Sequence, residues 1–305
     1  MMKSSFRITC TCLSGLLKMD KRGKVLSKFF PTASIHSNGP HHEKTHFGYE
    51  EVSVEEKSSK VNRVFSNVAD KYDLMNDLMS GGIHRIWKAC FINKLDPLPG
   101  TQLLDVAGGT GDIAFKFIDR MRTRYPHDSS YKVTVCDINH EMLERGKKKA
   151  ISLSYDDPRV LDWKQGDAQN LPFPDNSFDA YTIAFGIRNV VNIDEALRES
   201  YRVLKPGGIF MCLEFSKVNT PGLSQAYDWY SFNIIPVLGE LIAGDWRSYK
   251  YLVESIRKFP DQRDFAEMIR TAGFHLVEYQ NMTQGIATIH WGYKENSSRT
   301  PEDDN

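Results

Sequence analysis

Leu103-Leu104-Asp105-Val106-Ala107-Gly108-Gly109-Thr110-Gly111-Asp112 runs from an apolar strand, through a glycine turn, into the start of a helix. Glycines let backbone approach a ligand where a side chain would collide. At the carboxyl edge of an open α/β sheet, such a turn is where a nucleoside-bearing cofactor is met. The rhythm continues outward. Residues 102–106 read as a strand, 113–124 as a helix and 131–136 as a strand that ends at Asp137. Asn139 can cap a helix to about Ile151, 160–165 reads as a third strand and 177–184 as a fourth. Asn192 and Glu195 have capping-box spacing and open a helix to Leu204. Lys205-Pro206-Gly207-Gly208 stops that helix before a fifth strand over 209–215. Strands alternating with helices predict an α/β fold, a mostly parallel sheet with helices on both faces.

The flanks differ. Residues 57–95 are helical in pattern, broken at Ser80-Gly81-Gly82, with Val61, Val64, Phe65 and Val68 on one face. Residues 216–260 leave the strand–helix rhythm and carry Tyr227, Trp229, Tyr230, Phe232, Trp246, Tyr249 and Tyr251 among Pro and Gly. Asp261 can cap a helix ending near Gly273. Strands over 275–279 and 286–291, joined through 280–285, then make an antiparallel C-terminal hairpin.

Residues 1–42 hold seven Lys or Arg and one acid, Asp20, with frequent Ser and Thr, the composition of an organelle transit peptide. The expected organisation is a transit peptide over 1–42, a polar linker over 43–56, one domain over 57–294 and a polar tail over 295–305, with His41, His42 and His46 in the polar stretch 40–56. Apolar residues make up 41% of the chain, enough for a sizeable core. Like-charge runs are short, so no nucleic-acid footprint is visible. Five cysteines are scattered without a C-x-x-C, so neither a metal centre nor a disulfide framework is indicated. No run of about 18 apolar residues marks a spanning helix.

Two readings of the glycine turn compete. Gly109-x-Gly111-x-x-Ala114 formally satisfies the dinucleotide fingerprint, which would make the chain an NAD-dependent dehydrogenase. Against it stand Asp105, inside the strand where it can orient the turn or receive a cationic amine, and a second acidic loop at Gly166-Asp167-Ala168. Asp137 at a strand end can accept ribose hydroxyls in either reading. Asp167 and Ala168 are placed for adenine contact.

Longer strings decide more. Tyr72-Asp73-Leu74-Met75-Asn76-Asp77, Gly82-Ile83-His84-Arg85-Ile86-Trp87-Lys88, Phe185-Gly186-Ile187-Arg188-Asn189-Val190 and Tyr249-Lys250-Tyr251-Leu252-Val253-Glu254-Ser255-Ile256 resemble signatures of the ubiquinone/menaquinone biosynthesis C-methyltransferases, over about Thr45 to Tyr293. The resemblance implies a class I Rossmann-like methyltransferase with an N-terminal helical cover. It implies S-adenosyl-L-methionine as cofactor, held by Gly108, Thr110, Asp137, Asp167 and Ala168. The family often has Ser where this chain has Ala184, so that contact is absent or replaced by backbone. The implied acceptor is a polyprenyl benzoquinol, with demethylmenaquinone as the alternative. A place on the matrix side of the mitochondrial inner membrane, peripheral and among other ubiquinone-biosynthesis proteins in a multi-enzyme complex, follows from the same resemblance, and a homodimer is compatible with it.

Methyl transfer to a ring carbon needs alignment, departure of a phenolic proton and exclusion of water. Arg188 and Asn189 lie just past the fourth strand, at the edge facing both ligands. Arg188 is expected to stabilise a phenolate or polarise a water, and Asn189 to orient the same hydroxyl. The alternative is an Arg188 that merely pairs with Asp194 or Glu195. Tyr72 and His84 are secondary candidates, and His290 is assigned to structure. The aromatic stretch 227–251 is expected to line an apolar acceptor tunnel, and 234–238 to touch a membrane surface.

Overall fold

The structure, a computed structural model, describes residues 44–68, 76–77, 80–218, 220 and 222–296. The segment 1–42, expected to be a transit peptide, Tyr72 and the tail from 297 onward lie outside the described residues.

A seven-stranded sheet has the order β5-β4-β3-β6-β7-β9-β8. Its strands are β3 (Gln102–Val106), β4 (Lys132–Asp137), β5 (Leu161–Gln165), β6 (Phe178–Ala184), β7 (Leu204–Phe215), β8 (His275–Met282) and β9 (Ala287–Tyr293). The strands from β3 to β7 are parallel, while β9 runs antiparallel to both β7 and β8. Period-2 geometry explains why neighbouring leucines of β3 are both buried. Leu103 enters the core on one face, with Phe117 and Val133, and Leu104 enters the core on the other, with Ile183 and Phe210. The chain winds outward from β3 to β5 and then returns to place β6 against β3. That reversal opens a crevice at the carboxyl ends of β3 and β6.

The covering helices are α1 (Val54–Val68), α2 (Ile83–Leu95), α3 (Asp112–Arg124), α4 (His140–Ser152), α5 (Ile193–Val203), α6 (Leu223–Asn233), α7 (Ile235–Ala243), α8 (Trp246–Lys258) and α9 (Gln262–Thr271). Three starts follow local chemistry. Asn139 accepts from Met142 N, Asn192 from Glu195 N, and Asp261 from the amides of Arg263 and Asp264, each relieving an orphan donor of a first turn. The α5 box is half formed, because the Glu195 side chain turns to Arg198.

Three expectations are corrected. Residues 44–53 are not a linker. They form an antiparallel hairpin, β1 (Lys44–Phe47) and β2 (Glu50–Ser53). Tyr49 N donates to Glu254 Oε2 at 3.2 Å, and the Phe47 ring stacks on Tyr251 at 4.0 Å. The fifth strand does not wait for residue 209. The strand already begins at Leu204 and absorbs Pro206 at a register shift opposite Phe178 and Ala180, where a missing ladder donor is tolerated. The C-terminal hairpin turns over Thr283–Gly285 alone, so β8 runs on to Met282.

Candidate active site

The crevice holds a cavity of about 1140 Å³ between the sheet edge and the α1, α2 and α8 helices. Gly108, Thr110, Asp137, Asp167, Ala168, Arg188 and Asn189 all line it, so these seven candidates come to one cavity. Asp105, Ala184 and His84 line it too.

The glycine turn is built from behind. Ala107, Gly109 and Gly111 have φ of 50°, 54° and 86°, a left-handed path that favours glycine. A Cβ on Gly108 would sit 2.7 Å from Val135 Cγ1 and 2.8 Å from Asp105 Oδ2, so no larger residue fits. Asp137 ties the turn to β4. Its Oδ2 accepts from Gly109 N at 2.9 Å and its Oδ1 from Asn139 N at 2.8 Å. Burial pushes its carboxyl up to about 6 against those bonds. Asn139 also reaches the cover, donating from Nδ2 to Asn62 Oδ1 of α1 at 2.7 Å.

Asp105 is wholly withdrawn from solvent. Its Oδ1 accepts from Thr182 Oγ1 at 2.8 Å, and its Oδ2 has no partner among the described residues. Burial is the main cause that pushes its carboxyl up to about 7. A buried carboxylate oxygen with spare lone pairs, facing a cavity, is built for a cation or a donor. Asp167 has a different task for its side chain, which accepts from Gln169 N at 2.9 Å and shapes the loop that presents Ala168. Met142 and Ile138 add apolar surface nearby.

The other end is set by β6 and β7. Arg188 donates from Nη1 to Phe185 O at 2.6 Å and to Glu214 Oε1 at 2.8 Å. The acid is Glu214 on β7, not the helix acids Asp194 or Glu195. Asn189 accepts at Oδ1 from Tyr251 OH at 3.0 Å, and its buried Nδ2 has no partner among the described residues. Arg188 Nε is likewise unpartnered.

Sequence reasoning missed Lys88, Asp112, Glu214 and the catch of Tyr251 on Asn189. Lys88 and Tyr251 stand within strings already singled out, and Asp112 closes the quoted turn. Nothing local marks Glu214. The aromatic stretch divides: Tyr227, Tyr230, Tyr249 and Tyr251 line the cavity, whereas Trp229, Phe232 and Trp246 face solvent. His84 is buried with Nδ1 2.7 Å from Ser80 Oγ. His290 lies among core residues away from the cavity, its Nε2 2.9 Å from Gln262 O, and burial takes its pKa down to about 4.

Comparison with known proteins bears on the family and the fold. A mouse protein named 2-methoxy-6-polyprenyl-1,4-benzoquinol methylase, mitochondrial, is 57% identical over 277 residues, covering 82% of this chain and 84% of its own. Proteins of the same name from Gallus gallus and Dictyostelium discoideum are 51% and 53% identical, covering 92% and 83% of this chain and 97% and 87% of their own. A solved S-adenosylmethionine-dependent methyltransferase of Thermotoga maritima shares the fold at a TM-score of 0.55 and 18% identity, covering 77% of this chain and all of its own. Residues 53–294 match the ubiE/COQ5 methyltransferase family, and with these relatives the match shows that the chain belongs to it.

Proposed function

We propose that this chain transfers the methyl group of S-adenosyl-L-methionine to a ring carbon of 2-methoxy-6-polyprenyl-1,4-benzoquinol, a step of ubiquinone biosynthesis. One observation carries the reading. A single cavity has a glycine turn with two carboxylates, the buried Asp105 and the half-buried Asp137, at one end, and Arg188 and Asn189 beside tyrosines at the other. The acceptor is the one that the names of the relatives state.

The residues suit the cofactor. The unpartnered Asp105 Oδ2 would receive the amino group, Asp137 the ribose hydroxyls, and the Asp167-Ala168 backbone the adenine edge, with Gly108 and Thr110 along the turn. When bound, the cofactor supplies a methyl group that its sulfonium already makes electrophilic.

A ring carbon becomes nucleophilic when a neighbouring hydroxyl loses its proton, so the quinol is the reactive form. Arg188 cannot take that proton, since a guanidinium has a pKa above about 12. Held by Glu214 and Phe185 O, it offers a fixed positive charge to the developing phenolate. Asn189, with Oδ1 fixed by Tyr251, keeps Nδ2 free to donate to the same oxygen. The α1 and α2 helices over the cavity exclude water.

The relatives are named mitochondrial, and among the described residues no helix is long and apolar enough to cross a membrane. We infer peripheral attachment to the matrix face of the inner membrane, next to partner enzymes of the same pathway. Support comes from Trp229, Phe232, Val237 and Leu241, exposed on neighbouring α6 and α7, and from the lipid solubility of the acceptor. Mass spectrometry of quinone intermediates in cells lacking this chain tests the pathway step. Accumulation of the methoxy-bearing intermediate without the ring methyl is expected, and a normal quinone profile would contradict it.

A further inference from the structure

We propose that Lys88 holds the carboxylate at the amino-acid end of the cofactor, completing with Asp105 a pair of opposite charges that matches a zwitterion. The inference rests on the S-adenosylmethionine reading above.

Lys88 lies on α2, lines the cavity and is only 7% exposed. A lysine so withdrawn from water requires anionic partners. Its Nζ donates to Asp112 Oδ2 at 2.7 Å. The other oxygen of Asp112 accepts from Lys149 Nζ at 2.9 Å, so two ammonium groups divide one carboxylate. An ammonium carries three donors, and this bond uses one of them. Lys88 therefore has both charge and donors for a further anion on the cavity side.

Asp105 lies close enough that the charge of Lys88 favours its ionised form. Among the described residues the cavity thus presents, at the end bounded by the glycine turn, a buried carboxylate oxygen without a partner and a buried ammonium with donors to spare. An amino acid bears the complementary groups on one carbon: its ammonium meets Asp105 and its carboxylate meets Lys88. A nucleotide phosphate would satisfy Lys88 and repel Asp105. A simple amine would satisfy Asp105 and leave Lys88 short of an anion. The pairing therefore selects the amino-acid end of the cofactor. Because Lys88 belongs to the cover and Asp112 to the helix after the turn, the same contact would dock α2 over the bound cofactor.

Isothermal titration with two ligands tests this. S-adenosylhomocysteine carries both groups, while its decarboxylated analogue keeps the amine and lacks the carboxylate. The wild-type chain is expected to bind the first about 10- to 100-fold more tightly, the range for a hydrogen bond to a charged group. Lys88→Met should lose that preference while binding the analogue as the wild type does, and Lys88→Arg should regain part of it. Equal weakening of both ligands in Lys88→Met would mean that Lys88 only pins α2, and the inference fails. A wild-type preference below about twofold overturns it without any variant, since a charged hydrogen bond is worth more than that. No binding of S-adenosylhomocysteine to the wild type would instead sink the methyltransferase reading itself.

Discussion

Arg188 and Glu214 form an ion pair at 2.8 Å whose side chains are 6% and 1% exposed. Burial pushes the Glu214 carboxyl up, and the guanidinium opposes that shift. Removing one partner of such a pair leaves an uncompensated buried charge. Glu214→Gln is expected to lower the unfolding free energy by about 3–5 kcal/mol. Urea denaturation with an unchanged m-value would measure it. On the folded fraction of Arg188→Ala, kcat should fall by about 100-fold or more, the usual worth of a preorganised charge at a developing anion. Activity retained within roughly tenfold would remove Arg188 from the chemistry.

Tyr251 fixes Asn189 across the cavity wall, with its hydroxyl donating to Oδ1 at 3.0 Å. Tyr251→Phe deletes the donor and keeps the stacked ring on Phe47. Stability should fall by about 1 kcal/mol. Steady-state kinetics should show a lower kcat with KM for the cofactor unchanged. A change in cofactor KM alone would place Tyr251 outside the acceptor end.

Acid should weaken cofactor binding before it unfolds the protein through these groups. Burial raises Asp137 to about 6, so the folded chain takes up this proton earlier than the unfolded chain as pH falls. The stability tied to the protonated form is fully present below the unfolded value and is lost as pH rises through about 6. Ribose recognition uses the ionised form and has the opposite sense. Through Asp137 alone, affinity for S-adenosylhomocysteine should fall below pH 6 by up to about tenfold per pH unit. Asp105, raised to about 7, must also ionise to meet an ammonium. Binding near neutrality should therefore release up to about one proton, read by calorimetry in two buffers, and Asp105→Asn should abolish the release. Affinity independent of pH between 5 and 8 would contradict both roles.

Leu241 and Trp229 are 77% and 63% exposed, an unusual display for large apolar side chains on neighbouring helices. Flotation with vesicles of inner-membrane composition should recover the wild-type chain. Leu241→Asp combined with Trp229→Asp should leave it in the soluble fraction. Equal recovery of both forms would assign attachment to another surface.

The sheet and its caps were legible because each is local. Short, largely apolar runs at 103–106 and 133–136, bounded by turn residues, read as strands covered on both faces, and Asn139, Asn192 and Asp261 bond amides within their own first turns. The loop residues of the site were legible for the same reason, since strand ends at one sheet edge must converge. The hairpin at 44–53 was not. Its strands are short and polar, and they are anchored by partners about two hundred residues away, through Phe47 on Tyr251 and Tyr49 on Glu254. Glu214 lies 26 residues from Arg188, and Tyr251 lies 62 from Asn189, distances over which no periodicity speaks. The aromatic stretch read as one wall, yet helix geometry sends some of its rings inward and others to the surface.

Methyl transfer by the purified chain, followed by mass spectrometry, is the most direct measurement. S-adenosylmethionine with a deuterated methyl group is supplied together with 2-methoxy-6-polyprenyl-1,4-benzoquinol, held reduced or allowed to oxidise. The label is expected on the ring carbon of the quinol and absent from the quinone. Label on a phenolic oxygen, equal transfer to both redox forms, or no transfer to either would contradict the central claim.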